Sequence, residues 1–65
     1  MKKKTIAAKL ITLRGKKTRK EVAKAWLVST STVAMYERGE RIPKDEIKER
    51  IAKYYGKTVE SIFFD

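Results

Sequence analysis

Four short or flexible side chains stand close together near the middle of the sequence: Thr30, Ser31, Ala34 and Met35. On a helix these positions share one face, since residues three and four apart lie one turn from each other. Such side chains allow a close approach to the edges of DNA bases, and none of them is an acid that phosphates would repel. We predict that this face reads bases, directly or through water, with plain solvent-facing positions as the alternative.

Basic side chains are concentrated in the first part of the chain. Residues 1–24 hold ten Lys or Arg and one acid, whereas residues 25–65 hold seven basic and seven acidic residues, so the net charge of +9 belongs to the first part. A surface of one sign attracts nucleic acid by releasing the counterions condensed on it. An acidic membrane surface, or no partner at all, is the alternative explanation of the charge.

The sequence offers no set of side chains suited to catalysis. It contains no His and no Cys, which excludes Ser–His and Cys–His nucleophile pairs and thiolate metal sites. Its acids are scattered among basic residues, and Gly15, Gly39 and Gly56 are too far apart to form a phosphate-binding loop. We predict that the protein is not an enzyme and that it uses no metal and no other cofactor.

The elements that position these side chains are predicted to be helices, because apolar residues recur three and four positions apart. The apolar stripes are Ile6, Leu10 and Leu13; Val22, Ala23 and Trp26; Val33 and Tyr36; Ile47, Ile51, Tyr54 and Tyr55; and Val59, Ile62 and Phe63. The spacing assigns the tyrosines to the core or its rim. The pattern predicts an all-α fold, a compact bundle of five short helices that forms a single domain over residues 1–65.

Local signals predict where the helices begin. They are the capping box of Thr18 with Glu21, the N-cap residues Ser29 and Thr58, and Pro43 in the first turn of a helix. Two short helices joined by a tight turn therefore occupy residues 18–38. This is the helix-turn-helix unit, whose second helix, about residues 30–38, enters the major groove of DNA.

The start of the chain is basic, like that of a secretory signal peptide. However, Lys9 and Arg14 interrupt the apolar stretch that follows, which excludes both a signal peptide and a membrane span. The absence of Cys agrees with a reducing compartment. We expect a soluble cytoplasmic protein, associated with the nucleoid, that has no membrane partner.

Four segments of the chain resemble the lambda repressor/Cro family of bacterial and phage regulators. These proteins are also called xenobiotic-response-element-like regulators. The four segments are residues 18–25, 28–33, 36–43 and 51–59. The most specific matches are the Thr-x-x-Glu-x-Ala start of the first segment and the Tyr-Glu-Arg-Gly-x-Arg-x-Pro run of the third. The resemblance covers about residues 6–64.

The resemblance implies roles for individual residues. Thr30, Ser31 and Met35 match the base-reading positions of the family, with Ala34 beside them. The implied contacts with the DNA backbone or at the helix starts are Lys17, Arg19, Lys20, Ser29, Arg41 and Lys44. Arg19 stands where the family often has Gln and would hold a phosphate or reach a guanine edge. Arg14 and Glu37 match a family ion pair that joins the first helix to the recognition helix.

The turn departs from the family pattern, which usually has Leu-Gly where this chain has Trp26 and Leu27. Glycine is favoured there because the residue tends to adopt a positive φ, and leucine would cost roughly 1 kcal/mol. Either the turn has another shape, or Leu27 is strained and its side chain is held by an apolar contact. We expect Trp26, which replaces a smaller core residue, to be only partly buried.

The resemblance implies a sequence-specific regulator that binds double-stranded DNA, and a repressor is the form we predict. A homodimer formed through the C-terminal residues Ile62, Phe63 and Phe64 is a further expectation. One alternative is an antitoxin-like or other protein-interaction adaptor, with Trp26 and Leu27 as its contact patch. The other is a basic module that binds RNA, DNA or a membrane surface without sequence preference.

Overall fold

Five helices follow one another in the computed structural model, which describes residues 2–64. They are α1 (Lys3–Arg14), α2 (Arg19–Trp26), α3 (Thr30–Glu37), α4 (Asp45–Tyr55) and α5 (Val59–Phe63). The described residues include no strand. The predicted all-α bundle of five short helices is therefore confirmed.

One hydrophobic core receives side chains from all five helices. Its members are Ile6, Leu10, Val22, Ala23, Trp26, Val33, Tyr36, Ile47, Ile51, Ala52, Ile62 and Phe63. The expectation that Trp26 is only partly buried is wrong, because its side chain is fully enclosed. The indole lies between α2 and α4, with its ring centroid 6.3 Å from that of Tyr55 in an edge-to-face arrangement.

Three hydroxyl side chains begin helices as predicted. Thr18 Oγ1 accepts a hydrogen bond from the Glu21 amide at the start of α2, and Ser29 Oγ accepts one from the Thr32 amide at the start of α3, both at 3.1 Å. Thr58 does the same for the Ser61 amide before α5. Each bond satisfies a backbone donor that the first helical turn leaves unpaired.

Pro43 does not lie in the first turn of α4, so that prediction is wrong. The helix begins at Asp45 after an extended N-cap residue, Lys44. Pro43 instead lies in the connector before the cap, where it is buried. Packing of the connector against the bundle therefore decides its place, and the acids Asp45 and Glu46 occupy the first turn, where they favour the positive end of the helix.

Three helices are followed by a residue with positive φ. These residues are Leu27 (φ 59°) after α2, Gly39 (73°) after α3 and Gly56 (65°) after α4. At Leu27 the amides of Leu27 and Val28 donate to the carbonyls of Lys24 and Ala23, at 3.3 and 3.0 Å. This pair of bonds is the Schellman motif. The turn therefore keeps the geometry that favours glycine, and Leu27 adopts it.

The side chain of Leu27 is 72% exposed. The expectation that an apolar contact holds it is therefore wrong. A leucine at positive φ carries backbone strain, and this one gains little packing in return.

Candidate nucleic-acid interface

The helix α3 has one buried side and one accessible side. It packs chiefly against α1 and α2, and Val33 and Tyr36 enter the core from it. Thr30 and Ser31 are exposed, and Met35 is half-buried. Three of the four residues predicted to read bases therefore lie on the accessible side.

Ala34 does not lie on that side, and its predicted outer position is wrong. The residue is 8% exposed. It shares a flank of α3 with Glu37, one turn further on, which is also buried. The buried face thus extends over Val33, Ala34, Tyr36 and Glu37, a wider stripe than the spacing of Val33 and Tyr36 alone indicates.

The turn between α2 and α3 fixes the accessible side of α3 relative to α2. Ala23 on α2 and Val33 on α3 are both buried, so a small side chain allows the two helices to pack closely. Ser29 Oγ, besides capping α3, lies 2.8 Å from Thr32 Oγ1. Ser29 is thus placed at the start of α3, and its oxygen already serves the cap.

Basic side chains surround the start of α2 and follow α3. Lys17, Lys20, Arg41 and Lys44 are all exposed. Arg19, the first residue of α2, has a side chain that is 42% exposed. An exposed cation beside the amides of a helix start suits an anion such as a phosphate group. Every residue predicted to contact the DNA backbone is therefore accessible.

A buried carboxylate on α3 binds two guanidinium groups. Arg14 donates from Nε to Glu37 Oε2 at 2.6 Å and from Nη2 to Oε1 at 3.2 Å, which confirms the predicted ion pair between α1 and α3. The hydrogen bond to Glu37 raises the pKa of Arg14 above its ordinary value. The side chain of Glu37 is only 1% exposed, so its charge requires a partner.

A second guanidinium group, which the sequence does not indicate, binds the same carboxylate. Arg19 Nε donates to Glu37 Oε1 at 2.9 Å, so the residue predicted to contact DNA is also held by the recognition helix. The two residues are 18 positions apart. No local pattern indicates such a contact, because the packing of α2 on α3 creates it.

An exposed ion pair that the sequence analysis does not include lies at the end of α3. Arg38 Nε donates to Glu40 Oε2 at 2.7 Å and Arg38 Nη2 to Oε1 at 3.2 Å. These hydrogen bonds lower the pKa of Glu40 and raise that of Arg38. A pair this exposed contributes little to stability, but it turns the guanidinium of Arg38 toward the following turn.

A family model described as helix-turn-helix matches residues 6–62, nearly the whole chain. The chain belongs to the Cro/C1-type helix-turn-helix family. This confirms the resemblance to the lambda repressor/Cro proteins, and it makes the chain a DNA-binding protein that regulates transcription. No curated protein and no solved structure matches it.

The C-terminal helix α5 contributes two side chains to the core, Ile62 and Phe63. Ile62 and Phe63 are each 2% exposed, so their predicted place in a dimer contact is wrong. They belong to the hydrophobic core, and α5 packs against α4 and α1. Only Phe64, 53% exposed, remains accessible, and the ammonium group of Lys48 lies 4.9 Å from its ring centroid.

Two classes of site are missing from the part of the chain that the structure describes. Within residues 2–64 no group of three or more His, Cys, Asp or Glu side chains could hold a metal ion. No helix there has both the length and the apolar character needed to cross a membrane.

Proposed function

We propose that this regulator is a sequence-specific repressor that inserts α3 into the major groove of double-stranded DNA. The observation that carries the proposal is the accessible side of α3, where Thr30, Ser31 and Met35 offer two hydroxyls and a thioether and no acid. A helix of this kind fits the width of the major groove, where base edges are distinguishable.

The surrounding charges support the same orientation. Lys17, Arg19 and Lys20 lie at or just before the start of α2, and Arg41 and Lys44 follow α3, so cations lie on either side of α3 in sequence. Phosphate contacts from such residues position a protein on the duplex, whereas base contacts specify the sequence. The uncharged accessible side of α3, which lies between these cations in sequence, makes the base contacts. A DNA partner also supports the expected cytoplasmic, nucleoid-associated location.

The side chains on α3 limit the kind of sequence that is read. Between Thr30 and Met35 there is no amide or guanidinium, so α3 cannot read adenine or guanine there through two parallel hydrogen bonds. The methyl group of Thr30 and the thioether of Met35 instead suit apolar contact with the C5-methyl group of thymine. We expect thymine at the base pairs that face these two residues.

Selection of bound duplexes from a random pool, followed by gel-shift titration, tests the proposal. Enrichment of a short, roughly palindromic site supports a sequence-specific regulator. Uniform and salt-sensitive binding to all duplexes would instead identify a non-specific basic module, and no binding at low salt would identify a protein-interaction adaptor. Ser31→Ala should weaken the selected site more than random DNA, whereas Lys53→Gln on α4 serves as a control outside the interface.

The adaptor alternative loses half of its predicted patch, because Trp26 is buried and only Leu27 is exposed. The homodimer likewise stays a prediction, with Phe64 as its one accessible candidate among the three C-terminal residues named for it. Sedimentation of the free chain and of Phe64→Ser at increasing concentration tests it. An equal molar mass for both variants at all concentrations would contradict a contact through Phe64.

A further inference from the structure

The buried carboxylate of Glu37 binds its two guanidinium groups unequally. Arg14 donates to both carboxylate oxygens and also donates from Nη1 to the carbonyl of Lys17 at 2.8 Å, so all three of its guanidinium nitrogens form hydrogen bonds. Its side chain is 21% exposed. Arg14 is therefore the partner that neutralises the buried charge and ties α1 to α3.

Arg19 engages the same carboxylate through one atom only. Its Nε donates to Glu37 Oε1, and the Nη atoms donate to no other group within residues 2–64. The side chain is twice as exposed as that of Arg14, at 42%. A guanidinium is planar and presents its donors in a rigid fork, so a group anchored at Nε has the edge formed by Nη1 and Nη2 left for a second partner.

We propose that Glu37 is a positioning residue for a contact between Arg19 and a DNA phosphate. The inference rests on the proposed function. Glu37 holds Arg19 at Nε in the free protein, and the two Nη atoms then bind phosphate oxygens beside the start of α2. Because the side chain is already ordered, less rotamer freedom is lost on binding.

The two arginines must be present together for this arrangement to work. A lone carboxylate near the interface would repel a phosphate, but Arg14 neutralises Glu37 and leaves the charge of Arg19 available. Since Glu37 belongs to α3, the phosphate contact is also fixed to the recognition helix. A shift of α3 in the groove would therefore disturb the contact of Arg19 with the backbone.

A double-mutant cycle on DNA affinity tests the proposal, with Glu37→Gln, Arg19→Gln and the double variant measured at several salt concentrations. Simple electrostatics predicts that Glu37→Gln strengthens binding to a polyanion, because it removes a negative charge. Positioning predicts the opposite, a loss of about three- to tenfold. In the Arg19→Gln background the same substitution should cause no loss. Arg19→Gln alone should reduce the salt slope by about 0.9, the value for one phosphate contact.

Three controls keep the outcome clear. Thermal unfolding of each variant reports whether it is folded at the temperature of the titration. If Glu37→Gln does not fold, Glu37→Asp replaces it, because the shorter side chain keeps the negative charge beside Arg14 but withdraws from Arg19. Lys53→Gln removes an exposed charge on α4 and should show no coupling with position 37.

Stronger binding by Glu37→Gln, or an equal effect of this substitution in both backgrounds, would overturn the proposal. If the unmodified chain selects a DNA site but shows no coupling between positions 19 and 37, only the positioning role fails. If the unmodified chain does not bind duplex DNA at low salt, the proposed function fails and the positioning role fails with it.

Discussion

Replacing Leu27 with glycine should make the protein more stable, although it removes an apolar side chain. Leu27 has φ 59° and ψ 45°, in the left-handed region, and its amide takes part in the Schellman motif that ends α2. The corresponding residues after α3 and α4 are Gly39 and Gly56. The left-handed conformation costs a leucine about 1–2 kcal/mol, and glycine adopts it without this strain.

Two smaller effects oppose the gain. The side chain is 72% exposed, so its partial burial contributes only about 0.5 kcal/mol. Glycine also gives the unfolded chain more freedom, which costs the folded state about 0.5 kcal/mol. The net gain is about 0.5 kcal/mol, equivalent to roughly 2–4 °C in Tm for a domain of this size.

Thermal and urea unfolding of Leu27→Gly and Leu27→Ala measure these contributions separately. Alanine keeps the strain and loses the side chain, so it should be less stable than the original chain by about 0.5 kcal/mol. The gap between the two variants should be about 1 kcal/mol in favour of glycine. A glycine variant less stable than the alanine variant would refute the reasoning, because it would mean that the backbone of Leu27 is not strained.

The remaining predictions concern the core, a helix cap and the DNA. Tyr55 Oη is buried with no hydrogen-bond partner within residues 2–64, so Tyr55→Phe should raise the free energy of unfolding at neutral pH by about 1 kcal/mol; a loss measured in urea would mean that the hydroxyl is bonded. Burial raises the pKa of Tyr55 to about 12, so the stability that its neutral form contributes is complete below about pH 10 and is lost between pH 10 and 12. Tyr55→Phe should remove about 2 kcal/mol of that alkaline loss, allowing for partial exposure, and an identical decline in both proteins would contradict the assignment. Ser29→Ala should destabilise the fold by about 1 kcal/mol, since Ser29 Oγ caps α3, whereas Ser29→Gly should cost only a few tenths; equal losses would argue against the cap. Replacing thymine by uracil, which lacks the C5-methyl group, should weaken binding at the pairs that face Thr30 and Met35 by about 1 kcal/mol per methyl group. 5-Methylcytosine keeps that methyl group and should therefore not cause the same loss of affinity. Unchanged affinity after uracil substitution at every position would refute the proposed methyl contacts.

The local features of this fold could be predicted from the sequence because their causes are local. Thr18, Ser29 and Thr58 begin helices through bonds to amides three residues away, and Gly39 and Gly56 follow helices at positive φ. Each of these residues forms its hydrogen bond within about one helical turn of its own position in the sequence. Such features depend little on how the helices later pack.

The errors concern residues whose surroundings depend on packing between helices. A stripe of apolar residues shows which side of α3 is buried but not how wide the buried side is, and so the spacing places Ala34 on the wrong side. For the same reason the spacing does not separate Phe64, which is exposed, from Ile62 and Phe63, which lie in the core, among the three residues expected to form a dimer contact. The burial of such positions depends on which helices pack against them, and the spacing of apolar residues within one helix does not reveal this.

The candidate site shows both cases. The pairing of Arg14 with Glu37 was implied by the family resemblance, and the structure contains it. The second contact, between Arg19 and Glu37, could not be predicted, because the two residues are 18 positions apart and meet only through the packing of α2 on α3. The family pattern does not indicate this contact either, because it often has glutamine at the position of Arg19.

Amide NMR spectra recorded while the selected duplex is added to the protein test the central claim most directly. Insertion of α3 into the major groove predicts that the largest shift changes occur at Thr30, Ser31 and Met35 and near the start of α2, with little change in α4 and α5. Changes concentrated on α4 and α5, or an unperturbed α3 at saturating duplex, would contradict it.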